Sequence, residues 1–158
     1  MAKRTTSRVP PPLGIGKRGP DGHIGYLLRQ AQAALRHAHD VALREAGLTT
    51  PQFLVLNLLD AYPGASGAEL SRTAQLTPQT INLIVRKLER EGLIARAEHE
   101  THGRVLRLTI TAAGTRRLRE AKILSDRIER RILALADADT ERKLRRWLVD
   151  VAVALMDS

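Results

Sequence analysis

Gln79, Thr80, Asn82, Leu83 and Arg86 crowd into one short stretch that opens at Thr77-Pro78. Their types match the edges of base pairs. Gln and Asn make paired hydrogen bonds to adenine, Arg does so to guanine or binds a phosphate, and a Leu side chain meets the methyl of thymine. Interleaved with them are Ile81, Ile84, Val85 and Leu88, a spacing that gives a helix one apolar side. The polar set is then left facing outward. The plainer reading of Gln79, Asn82 and Arg86 is a solvated helix face, and Leu83 could instead complete the core.

Other chemistry fits the chain less well. His99 and His102 stand three apart, and His37 and His39 two apart, with no Cys anywhere. Neither spacing gives the rigid face a metal site needs, so the histidines read as solvated and no metal is expected. No Gly-rich phosphate loop, zinc-protease motif or serine elbow is present. Ser66, Ser71 and Ser125 show no placement that pairs a nucleophile with a base. The expectation is a protein that is not an enzyme and carries no cofactor.

Composition narrows the classes further. Of 158 residues, 43% are apolar but only 3% aromatic, so the core must be aliphatic and an aromatic platform for single strands is disfavoured. Absence of Cys excludes disulfides and thiol chemistry. The net charge of +9 suits a polyanion partner. Five basic residues and no acid lie in the first twenty, however, so bulk charge alone says little about the rest. No apolar run reaches the roughly 18 residues of a membrane span, and no secretory h-region is seen. A cytoplasmic protein without a membrane partner is expected.

Several elements must position the candidate stretch. Residues 1–20, rich in Pro and Gly, read as a disordered basic arm. A helix is expected over about 23–46, closed by Gly47. Thr49-Thr50-Pro51-Gln52 has the form of a capping box opening a second, nearly all-apolar helix that Pro63-Gly64 stops. Ser66 caps a short helix over 67–74, and Thr77 caps the next, over 77–90. The period then becomes two. Leu106, Leu108 and Ile110 face one way, Arg107 and Thr109 the other, and 93–98 supplies the partner strand of a hairpin. Thr111 caps a long helix with an apolar stripe from Leu118 to Leu135. In the last helix Leu144, Leu148, Val151 and Leu155 form a heptad-like seam for a partner helix or for the first helix.

Helix, turn, helix and hairpin in that order make a winged helix-turn-helix. The fold class is mainly α with a small β-hairpin wing. In that geometry the 67–74 helix braces on the backbone, the next lies in the major groove and the wing reaches sideways.

The chain resembles the MarR family of bacterial transcriptional regulators over about residues 24–156. The likeness is carried by Leu48-Thr49-Thr50-Pro51-Gln52-Phe53-Leu54-Val55-Leu56, Gly67-Ala68-Glu69-Leu70, Thr77-Pro78-Gln79-Thr80, Leu88-Glu89-Arg90-Glu91-Gly92-Leu93-Ile94 and Leu108-Thr109-Ile110-Thr111-Ala112-Ala113-Gly114. The resemblance implies a homodimer whose helical region is 21–46 with 112–158, and a DNA-binding lobe over 47–111. It implies a sequence-specific regulator, a repressor released by a small aromatic or anionic effector, on a pseudo-palindromic double-stranded operator. The implied DNA-binding residues are Ser66, Thr77, Gln79, Thr80, Asn82, Leu83, Arg86 and Arg104. The implied effector candidates are Tyr26, Arg29, His37, Phe53 and Asn57, with ordinary core as the preferred reading of Phe53. Two departures stand out. The wing keeps Arg104, but His102 occupies the place where relatives carry an Asp that orients it. On the groove helix, Leu83 and Arg86 stand where many relatives carry Arg and an acid. The competing function is a winged-helix module that binds DNA architecturally, or binds protein, without an effector.

Overall fold

A computed structural model of the chain describes residues 10–98 and 106–156. The chain divides into two compact units, Met1–Ala38 and His39–Ser158.

In the first unit, residues 10–22 precede α1 (Ile24–Ala42) and carry a 3-10 turn, Gly16–Arg18. Residues 10–20, expected as part of a disordered arm, carry local hydrogen bonds. Prolines lack an N–H but keep a carbonyl. Pro12 accepts from Ile15 N at 3.4 Å, and Pro11 accepts from Arg18 Nη1 at 3.0 Å. Arg18 Nε also donates to Gln30 Oε1 on α1 at 3.3 Å. Residues 1–9 lie outside the described residues.

The second unit holds the core. The last residues of the expected first helix tighten into a turn over 43–47, with Gly47 at φ +63° and Leu48 N donating to Leu43 O at 3.0 Å. Gly47 occupies the left-handed position that a helix end favours. It also puts Leu43, Ala46 and Leu48 into the interior. Next comes α2 (Thr50–Ala61), with the expected capping box: Gln52 N donates to Thr49 Oγ1, and Thr49 N donates to Gln52 Oε1 at 2.9 Å. Val55, Leu56 and Leu59 are buried, while Leu54 keeps partial exposure, so α2 is covered on most but not all sides.

Helices α3 (Gly67–Ala74) and α4 (Pro78–Arg90) follow, each capped as expected, by Ser66 and Thr77. Between them Gln75 takes the left-handed conformation at φ +53°, where glycine is the usual residue. The tight turn is closed by the buried Ser71, whose hydroxyl donates to Leu76 O at 2.6 Å.

Strands β1 (Ile94–Glu98) and β2 (Leu106–Ile110) pair antiparallel, Arg96 opposite Leu108. Leu108 is buried while Arg107 and Thr109 are exposed, which is the alternation expected of a wing strand. Beside β2 runs the bend after α2: Gly64 N donates to Leu108 O at 3.1 Å.

In α5 (Ala112–Leu133), Thr111 caps through Gly114 N, and its own hydroxyl donates to Gly92 O at 2.7 Å. The apolar stripe is buried only as far as Ile128; Leu135, beyond the helix, is 85% exposed. Helix α6 (Ala138–Met156) has no buried residue, and Leu144, Trp147, Leu148 and Leu155 lie exposed.

Candidate nucleic-acid interface

The inner side of α4 is fixed by burial. Ile81, Val85 and Leu88 are buried and join a cluster with Val55, Leu59 and Leu70. A fully buried aliphatic side chain of this size contributes about 1.5–3 kcal/mol, which makes rotation of α4 about its axis costly. The opposite side is therefore held outward. Gln79, Asn82, Leu83 and Arg86 are all exposed. Leu83 is 64% exposed, so it does not complete the core. Among the described residues no carboxylate forms an ion pair with Arg86.

Not every expected residue is equally available. Thr77 Oγ1 accepts from Thr80 N at 3.1 Å and lies 2.8 Å from Thr80 Oγ1. Those two hydroxyls serve the helix start first. Ser66 is likewise committed locally: Glu69 Oε2 accepts from Ser66 N at 2.7 Å and from its hydroxyl at 2.8 Å. These bonds hold the Glu69 carboxyl below the usual carboxylate range, the backbone bond contributing most, with Arg72 and Arg107 adding a little. The start of α3 and the outer face of α4 meet, because a Cβ placed on Gly67 would lie 3.9 Å from Asn82 Oδ1. Arg104, His99 and His102 lie outside the described residues.

One ion pair braces the junction between α4 and the wing, and a second lies at the end of α4 itself. Arg96 on β1 grips both carboxylate oxygens of Glu89, and this pairing raises the guanidinium pKa. Lys87 and Glu91 stand 3.9 Å apart. Sequence reasoning did not single out Arg96, whose role depends on a strand register that spacing alone does not reveal.

The five effector candidates fall in different units. Tyr26, Arg29 and His37 are exposed on α1 in the first unit, where Tyr26 lines a cavity of about 360 Å³ with Pro10, Pro11 and Lys17. Phe53 and Asn57 are half-buried on α2 in the second unit. Phe53 packs at the edge of the core. Near it are two residues missed as a pair: His39 Nε2 lies 3.1 Å from Ser125 Oγ, and its ring centre is 6.5 Å from that of Phe53. They are 86 positions apart in sequence, too far for any periodicity to link them.

Comparison with known proteins decides what this lobe is. The HTH-type transcriptional repressor Rv2887 of Mycobacterium tuberculosis is 40% identical over 128 residues, covering 81% of this chain and 92% of that protein. The sequence model of the MarR family matches residues 46–105. The chain belongs to the MarR family. The crystal structure of the M. tuberculosis MarR family protein Rv2887 with DNA superposes with a TM-score of 0.69 at 37% identity, covering 83% of this chain and 98% of that one. Its complex with salicylic acid gives 0.67 at 39% identity, covering 84% and 98%. As a MarR family member, this chain is a DNA-binding transcriptional regulator with a winged helix-turn-helix lobe. Among the described residues no helix is long and apolar enough to cross a membrane.

Proposed function

We propose that this MarR family chain is a dimeric repressor that reads a pseudo-palindromic operator through α4 and releases it on binding a small aromatic acid. One observation carries the reading: the Gln79, Asn82, Leu83 and Arg86 face is exposed while the other side of the same helix is locked into the core. Gln79 and Asn82 supply paired donors and acceptors for adenine, Arg86 a fork for guanine or phosphate, and Leu83 an apolar contact for thymine. Ser66, Thr77 and Thr80 fix the start of each helix against the backbone, and Arg104 extends the contact from the wing. The proposed lobe is 47–111, flanked by helical regions over 21–46 and 112–158.

The uncovered apolar side of α6 supports pairing of two chains. Leu144, Trp147, Leu148 and Leu155 stay exposed in a single copy, and a second copy gives the heptad-like seam a partner. Two-fold pairing then sets two α4 helices at half-site spacing.

The effector class is supported by the salicylic acid complex of Rv2887. Arg29 is proposed to pair with a carboxylate, Tyr26 or Phe53 to stack, and His37 and Asn57 to donate or accept hydrogen bonds. The role is regulatory and not catalytic, in the cytoplasm, with no cofactor. A thermal melt with salicylate tests the effector half. The expected result is a higher Tm for the parent, since a ligand specific to the folded state stabilises it, and a weaker response in Arg29→Ala and Asn57→Ala. A Tm unmoved by salicylate and other aromatic acids would leave a regulator without this effector class.

A further inference from the structure

We infer that Arg107, on the outward face of β2, is a backbone-phosphate contact for duplex DNA, held beside the start of α3 by the bend at Gly64. The inference rests on the DNA-binding reading above and extends it to a residue outside the α4 face and the wing tip.

The placement follows from three local constraints. Leu108 is buried, so its neighbour Arg107 must face away from the core. On the far edge of β2 the bend after α2 is locked to the strand, with Gly64 N donating to Leu108 O at 3.1 Å and Leu108 N to Ala65 O at 3.4 Å. Gly64 sits at φ +81°, and a Cβ there would lie 3.1 Å from Arg107 Nη1 and 3.4 Å from its Cδ. The Arg107 side chain therefore lies flat across a glycine that leaves room for it. That course carries it into an open cleft of about 660 Å³ shared with Tyr62, Ser66, Glu69 and Thr73.

Charge favours a phosphate there. Among the described residues Glu69 is the one carboxylate lining the cleft, and its Oε2 already accepts two hydrogen bonds from Ser66. Arg107 remains exposed, as does Arg72, which also acts on Glu69. A planar guanidinium fixed at one end matches a phosphate with two parallel donors. Position agrees as well. Asn82 Oδ1 lies within 3.9 Å of the Cβ position of Gly67, the residue after Ser66. A duplex whose bases meet Asn82 thus carries its backbone past the start of α3 and the mouth of this cleft.

The test is a salt titration of the full chain on its selected operator and on an unrelated duplex. Arg107→Gln should lower the slope of log K against log salt by about 1 and weaken both duplexes equally. Arg107→Lys should keep the parent slope, because the charge remains. Gly64→Ala, which pushes the guanidinium aside, should reproduce part of the Arg107→Gln effect. An unchanged slope in a folded Arg107→Gln overturns the proposal and leaves Arg107 as a counter-ion of Glu69; so does a loss confined to the operator. If Arg107→Gln does not fold, a Lys variant whose slope departs from the parent overturns it instead. A parent chain that shows no salt-dependent duplex binding sinks the DNA reading itself, an outcome distinct from either.

Discussion

Gln52, at the start of α2, donates through Nε2 to a carboxylate oxygen of Glu91 at 3.2 Å, joining the opening of one helix to the end of α4 across 39 positions. The same side chain accepts from Thr49 N and from the Thr49 hydroxyl. It is 2% exposed, and every polar atom on it is used. A capping residue here thus also ties the start of α2 to the end of the helix that carries the candidate DNA face.

Gln52→Leu keeps the volume and the bond from its backbone N to Thr49 Oγ1, but removes the side-chain half of the capping box and leaves Glu91 and Thr49 N without this partner. The expected cost is about 1–3 kcal/mol, read as a lower urea midpoint at unchanged slope. A midpoint equal to that of the parent would show the link to be incidental.

Gly114 is required by contact rather than by backbone angle. A Cβ there would lie 2.0 Å from the backbone oxygen of Leu93 and 2.8 Å from Ile110 Cγ2. The first turn of α5 packs directly on the end of β2 and the loop before β1, so Gly114→Ala should separate them. Despite the gain in helix propensity from alanine, the predicted loss is about 2 kcal/mol or more by equilibrium unfolding. Stabilisation would contradict the close approach.

Glu69 makes stability depend on acid pH. Its folded pKa is depressed, chiefly by the backbone bond and then the hydroxyl bond from Ser66. A carboxylate of that kind stabilises fully above its ordinary range, and the contribution is lost as pH falls through the depressed value. Thermal melts between about pH 5 and pH 3 should therefore show a smaller fall in Tm for Glu69→Gln than for the parent. Equal falls would mean that the cap bond is not maintained in solution.

Much of this was legible from spacing because the signals are local. Capping at Thr49, Ser66, Thr77 and Thr111 depends on residues three apart, and strand alternation at Leu106–Ile110 on residues two apart. The outward set on α4 followed from one apolar helical face. What escaped were pairings made by the closed fold: Gln52 with Glu91, His39 with Ser125, Arg96 with Glu89 and Arg107 with Gly64. The local bonds within residues 10–20 were not legible for a different reason. Composition counts Pro as a lost donor, while Pro11 and Pro12 act here as acceptors.

The central claim is that the outer face of α4 reads base sequence. Selection of bound duplexes from a randomised pool, with the full chain and with Asn82→Ala, tests it most directly. The account predicts a two-fold symmetric consensus for the parent, relaxed at matching positions of both halves in the variant. No consensus, or one unchanged in Asn82→Ala with binding weakened evenly, would contradict it.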